Sequence, residues 1–208
     1  MSGLQTSVKR AYTTGFPGQL VEDGPKRARV ARINSATLGT DPGASTNRIS
    51  RAFGYASDIG ASGSTYAVRE VMVNVGGPDF FGILGHPQRY ALYGTSGNSL
   101  AASVDLPQGA EGEFFDMATG LIVELFNETT GTVNPTYGDQ LCYVPNNIST
   151  ANNALALPYG ALFSIAAGAS VPTGMVLIPN ARIVSPLSLA ASALGALVSG
   201  SAIVQLTQ

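Results

Sequence analysis

Hydrophobic and polar positions fall into a regular pattern only beyond about residue 70. Residues 1–55 hold no sustained period of 3.6 or 2, and Gly15-Phe-Pro-Gly18, Gly24-Pro25 and Asp41-Pro-Gly43 punctuate them. This predicts an extended N-terminal arm over 1–55, with one short strand near Ala28–Ile33, ahead of a β-rich body over 56–208. Asp58 to Ser64 reads as a loop. Val71, Val73 and Val75 then alternate with Glu70, Met72 and Asn74, the period of a half-buried strand, and Gly76-Gly77-Pro78 ends it.

Short strands are predicted over Phe80–Leu84, Arg89–Tyr93, Glu113–Met117, Leu121–Phe126, Gln140–Val144 and Ala161–Ile165. Met175–Ile178, Ala181–Val184 and Ala202–Leu206 follow. β-Branched and aromatic residues fill them, and Asn, Gly, Pro and Ser clusters separate them. Many short strands at even spacing predict an all-β sandwich or barrel. Ala and Leu within Leu187–Val198 would also suit a short helix. Thr119-Gly-Leu-Ile-Val-Glu-Leu-Phe-Asn127 echoes Thr173-Gly-Met-Val-Leu-Ile-Pro-Asn180, as convergent hairpin chemistry or as duplication.

Composition sharpens this picture. Charged residues are 12 % of the chain, about half the usual share, which excludes intrinsic disorder. Gly (25) and Pro (12) are abundant, as in a turn-rich chain. Charge is also unevenly placed. Lys9, Arg10, Lys26, Arg27, Arg29, Arg32, Arg48 and Arg51 face only Glu22, Asp23 and Asp41 in the first 51 residues, whereas Gln140 to Gln208 carries Arg182 alone. The charge-poor third must be buried, in a core or against neighbouring subunits. A basic leader on such a body describes an assembly component better than a free catalyst.

Candidate chemistry is sparse. The single cysteine, Cys142, lies in Gln-Leu-Cys-Tyr-Val and reads as a buried small hydrophobe, so no disulfide framework or cysteine metal cage exists. The lone histidine, His86, sits in a Gly-His-Pro turn with no nucleophile elbow beside it. Gly39-Thr-Asp-Pro-Gly-Ala-Ser-Thr46 lacks the lysine a phosphate loop needs. Ile183 to Leu206 is uncharged, but Pro186 and its serines and glycines favour two strands over a membrane span. No apolar signal core opens the chain, so Asn127-Glu-Thr and Asn147-Ile-Ser read as chance glycosylation patterns.

Glu111, Glu113 and Asp116 form the densest acidic group. They could be outward polar positions of a strand, partners of a neighbour's basic arm, or Ca²⁺ ligands. Lys26-Arg27-Ala-Arg29-Val-Ala-Arg32 is the strongest interaction signal, since Arg pairs bidentately with carboxylates or phosphates. The near-neutral whole and the few nearby aromatics, Tyr12 and Phe16, favour an anionic protein partner over nucleic acid.

Tyr12-Thr-Thr-Gly-Phe-Pro-Gly-Gln-Leu-Val-Glu-Asp-Gly-Pro-Lys26 resembles the leader of the structural cement (decoration) proteins of tailed bacteriophages. The Thr-Gly-apolar repeats and the last strand, Ala202-Ile-Val-Gln-Leu206, resemble them more weakly, and the polar insertion Asn34 to Ser64 departs from them. The resemblance implies a non-enzymatic homotrimer on the outer surface of a phage capsid, resisting the pressure of packaged DNA. A tail, neck or fibre-associated virion protein is the alternative. It implies no cofactor, metal, nucleic acid or membrane partner. It assigns binding of the major capsid protein, or of a neighbouring subunit, to arm residues Lys9, Arg10, Tyr12, Phe16, Pro17, Leu20, Lys26, Arg27, Arg29 and Arg32.

Overall fold

The computed structural model describes residues 17–21, 24–35, 47–56, 71–86, 106, 108–126, 135–149, 152–153, 157–186 and 197–207. Among them are nine strands and no helix. These are β1 (Lys26–Ile33), β2 (Ala52–Tyr55), β3 (Met72–Val75), β4 (Phe80–Leu84), β5 (Glu111–Phe126), β6 (Gln140–Tyr143), β7 (Leu162–Ile165), β8 (Val176–Pro186) and β9 (Leu197–Leu206).

The strands form one sheet in the order β1-β3-β2-β4-β5-β7-β6-β8-β9, and β5 also pairs with both β1 and β9. Those two extra pairings close the sheet twice. Barrel one is the ring β1-β3-β2-β4-β5, and barrel two is the ring β5-β7-β6-β8-β9. The sixteen-residue β5 serves both. Its first half, up to Ala118, pairs with β1 and β4. Its second half, from Ala118, pairs with β9 and β7. The all-β, barrel-like body expected from the pattern is therefore present, as two fused rings. Closure is one way a sheet removes its exposed edges.

Three elements differ from the sequence expectation. Glu113–Met117 and Leu121–Phe126 are one strand. The intervening Thr119-Gly120 reads as a turn but is absorbed by a register shift between Ala118 and Leu121. The strands around Pro179-Asn180 also merge into β8, with Asn180 at φ 53° and a register shift against β6 between Gln140 and Cys142. Leu197 and Val198, placed at the end of a possible helix, open β9, while Leu187–Ala196 and the proposed strand Arg89–Tyr93 lie outside the described residues.

β1 and β2 fall inside the stretch read as an arm, yet they are built into barrel one. β1 runs antiparallel to β5 from Lys26 opposite Ala118 to Arg32 opposite Glu111, and parallel to β3 at Arg32 and Ile33. Its alternation is short but real: Ala31 and Ile33 point into the barrel and Arg32 points out. β2 is central, between β3 and β4.

Barrel one is filled by aromatic side chains. Phe114 packs edge-on against Phe53 and Phe81, with ring centroids 5.0 and 5.5 Å apart, inside a cluster with Ile33, Val73, Val75 and Leu84. Barrel two is filled by aliphatic residues of β5 to β9, among them Leu121, Val123, Leu141, Leu162, Ile183 and Val204. Ala52, Ile83 and Phe115 of barrel one join that cluster, so one continuous core crosses the junction. β6 and β7 are buried on both faces. Leu141, Tyr143 and Leu162 face the barrel interior, while Cys142, Phe163 and Ile165 face a second cluster with Phe126, Val144, Leu157 and Ala161.

Away from β5 the barrels meet at the β3–β4 turn. The Tyr143 hydroxyl donates to the Gly77 carbonyl at 2.7 Å. Asn146 N–H donates to the Gly76 carbonyl at 2.6 Å. Gly76 has φ 64°, and a Cβ there would stand 2.7 Å from the Val144 carbonyl, so only glycine permits this approach. Burial pushes the Tyr143 phenol well above its ordinary pKa, and the charge of Asp79 adds to the shift.

Candidate interaction surface

Antiparallel pairing of β1 with the first half of β5 brings the basic and acidic clusters of the sequence onto one wall of barrel one. Arg32 stands opposite Glu111, and Val30 opposite Glu113; all four are exposed. A register shift between Arg27 and Ala28 sets Arg27 beside Asp116. There the guanidinium forks onto the carboxylate, Nε to Oδ1 at 2.9 Å and Nη2 to Oδ2 at 2.6 Å. These hydrogen bonds raise the Arg27 pKa above its ordinary value; partial desolvation opposes the shift and the carboxylate charge adds to it. The acidic cluster thus meets a basic strand of its own chain.

Arg29 is held differently. Its Nη2 donates to the Tyr55 hydroxyl at 2.7 Å, and its guanidinium lies 4.2 Å from the Phe81 ring centroid. Nη1 is 3.8 Å from Asp116. Stacking and hydrogen bonding together make Arg29 a lid on the aromatic core of barrel one. Lys26 and Arg32 are exposed on the same strand. Arg32 also borders an open cleft of about 380 Å³, lined further by Ile33, Asn34, Met72, Gln108 and Gly109.

From Pro17, the first described residue, the leader is bound to the sheet. Gly18 N–H donates to the Ile122 carbonyl, Ile122 N–H to Gln19 and Val21 N–H to Gly120, so the segment lies as a short strand on β5. Leu20 bridges to Leu121 and packs on the barrel-two core. The lone histidine, His86, donates its backbone N–H to the Gly18 carbonyl at 2.9 Å. Of the residues assigned to the arm, Pro17 and Leu20 are therefore half-buried attachments, and Lys26, Arg27, Arg29 and Arg32 belong to β1. Lys9, Arg10, Tyr12 and Phe16 lie outside the described residues. No group of three or more His, Cys, Asp or Glu able to hold a metal ion occurs among the described residues.

Sequence reasoning missed Tyr55 and Phe81 as the seat of Arg29, because β2 is four residues long and carries no alternation of its own. It also missed Tyr137, the most exposed large hydrophobic side chain among the described residues at 79 %. The sequence Pro-Thr-Tyr-Gly-Asp reads there as an ordinary turn.

A family model described as structural cement protein (E217 gp24/Pam3 gp6) matches residues 4–207. Among solved structures, a chain from "The capsid of Myoviridae Phage XM1" superposes with a TM-score of 0.52 at 10 % identity, covering 100 % of this chain and 99 % of that one. At that identity the likeness concerns the fold. A comparison with curated proteins found no match.

Proposed function

The chain belongs to the phage structural cement protein family, and on that premise we propose that it coats the outside of a phage head as a homotrimer. Membership makes it a structural protein of the virion that stabilises the capsid. The finer reading is mechanical. Each trimer sits where capsomers meet, bridges them, and opposes the outward pressure of packaged DNA. Binding only to the assembled lattice stabilises that lattice by mass action, and several weak contacts per trimer add through effective concentration. We read the chain as non-enzymatic, without cofactor, nucleic-acid or membrane partner.

The family match over residues 4–207 carries this reading. Two closed barrels that share β5 suit a part that must transmit force between neighbours. The arm role falls to the leader preceding β1, with Lys9, Arg10, Tyr12 and Phe16 contacting the major capsid protein or a neighbouring subunit. Lys26 and Arg32 extend the basic track onto the barrel wall.

The test is the copy number of this chain in purified virions, measured by quantitative mass spectrometry against the major capsid protein. A ratio near one to one supports lattice-wide cement. A handful of copies per particle would move the chain to the tail or neck. A variant lacking residues 2–16 should fold normally and fail to decorate heads; full decoration by that variant would remove the arm from the mechanism.

A further inference from the structure

At the start of β6 the chain makes a tight turn, Thr136-Tyr137-Gly138-Asp139. Asp139 N–H donates to the Thr136 carbonyl at 3.2 Å, and Gly138 has φ 89°. This is a type II turn, in which the third position needs glycine and the second has no requirement for an aromatic residue. The turn is strongly held. The Asp139 carboxylate, 7 % exposed, accepts the Thr136 N–H at 2.8 Å and the Thr136 hydroxyl at 2.9 Å. Gly138 N–H donates to the Ile183 carbonyl at 2.8 Å, and Ile183 N–H returns a bond to Asp139 at 2.9 Å. Arg182 reaches the Gly138 carbonyl at 3.4 Å.

This scaffold holds one side chain out in solvent. Tyr137 is 79 % exposed, so barrel two gains nothing from the ring. A rigid aromatic on a pre-organised turn loses little entropy on contact and offers an apolar body with a polar tip. Two charged groups flank it, the buried Asp139 carboxylate held by Thr136 and Arg182 at the Gly138 carbonyl, and the exposed stretch Ala166–Gly174 carries no charge. Gln140, just beyond the turn, accepts the Gly168 N–H at 3.4 Å, which sets the exposed Ala166–Ala169 turn alongside. Arg182 is the only charged side chain from Gln140 onward. A strongly charged partner face would lose its hydration here and find one counter-charge. The same uncharged stretch, Ala166–Gly174, in another copy has matching chemistry, and copy–copy contacts are depleted of charge at their centre.

We propose that Tyr137 anchors the contact between copies of this chain, seating its ring on the uncharged stretch Ala166–Gly174 of the neighbour's barrel two. The inference rests on the homotrimer reading and names the residue that would hold it. The experiment is sedimentation equilibrium of the full chain, free of capsids, for wild type, Tyr137→Ala, Tyr137→Phe and Tyr137→Pro. Proline suits the second position of a type II turn, so Tyr137→Pro removes the ring while keeping the turn even if Tyr137→Ala folds poorly. We expect Tyr137→Ala and Tyr137→Pro to weaken self-association roughly tenfold or more. Tyr137→Phe should retain most of it, with little dependence on salt. Far-UV circular dichroism should be unchanged throughout. A trimer indifferent to Tyr137→Pro would overturn the anchor and leave the homotrimer reading standing. A wild type that stays monomeric at every concentration would overturn both. Intact association with lost decoration of heads would place Tyr137 against the capsid protein instead, and so would also overturn it.

Discussion

Barrel one wears its charge on the outside: Lys26, Arg27 and Arg32 on β1 face Glu111, Glu113 and Asp116 on β5. From Gln140 onward, barrel two carries Arg182 alone, and the reason is largely internal. β6 and β7 are buried on both faces, so neither side of those strands can hold a charge. A one-sided strand alternates, whereas a two-sided strand reads as a continuous apolar run. Low charge in a stretch of sequence is therefore evidence for burial before it is evidence for an interface. The exposed stretch Ala166–Gly174, with Val171, and Tyr137 are among the surfaces that barrel two leaves open to a partner.

The sharpest way to break the comparison is to remove a wall. Deleting residues 1–33 takes β1, with the buried Ala31 and Ile33, out of barrel one. We expect lost β-signal and no cooperative melt, in contrast to the variant lacking residues 2–16. A normal melt after the longer deletion would mean that barrel one needs only four strands.

Next come the two cores. Phe114→Ala in barrel one should cost about 3–5 kcal/mol and Leu162→Ala in barrel two about 2–5 kcal/mol, read from denaturant unfolding. Both should lower a single shared transition, because β5 and the cluster across the junction couple the rings. Two separable transitions would show instead that each barrel folds alone.

A smaller effect tests the junction. Tyr143→Phe takes the hydroxyl donor from the Gly77 carbonyl and should cost about 1–2 kcal/mol. The same residue gives a pH dependence. Its phenol is raised above the ordinary value of 10.0 in the folded state. Stability from this group is therefore complete below about pH 10 and is lost as pH rises towards the folded value, by up to about 1.4 kcal/mol per pH unit. Tyr143→Phe should flatten that part of the alkaline slope; an unchanged slope would assign it to other tyrosines.

The smallest change is expected at the charged wall. Arg27→Ala removes the exposed half of a pair whose Asp116 carboxylate is only 7 % exposed, but Arg29 stays 3.8 Å from that carboxylate, so the drop in melting temperature should be small and only partly sensitive to salt. A large, salt-independent loss would show that the wall supports barrel one as firmly as its aromatic core does.

Much of the candidate surface was legible in the one-dimensional pattern. Arg27, Arg29 and Arg32 stood out by type and spacing, and Glu111, Glu113 and Asp116 stood out as the densest acidic group, with outward strand positions, a neighbour's basic arm and Ca²⁺ all open as explanations. What stayed hidden was that the two clusters meet in one chain. Arg27 and Asp116 are 89 residues apart, and only strand pairing sets their distance. The sequence places Arg27 and Arg29 in the same cluster; the fold gives one to a carboxylate and the other to an aromatic face.

Local chemistry alone determined the β class, turns such as Gly76-Gly77-Pro78, the burial of Cys142 and the charge asymmetry, since each depends on residues close in sequence. Tertiary structure decided the rest. It decided that Lys26–Ile33 is a barrel wall, that two apparent strands are the single β5, and that one strand closes two rings. Those outcomes depend on register and on which edges meet, and backbone hydrogen bonds are blind to side-chain identity. A rigid turn likewise left Tyr137 in solvent, where its neighbours in sequence could not show whether it would be covered.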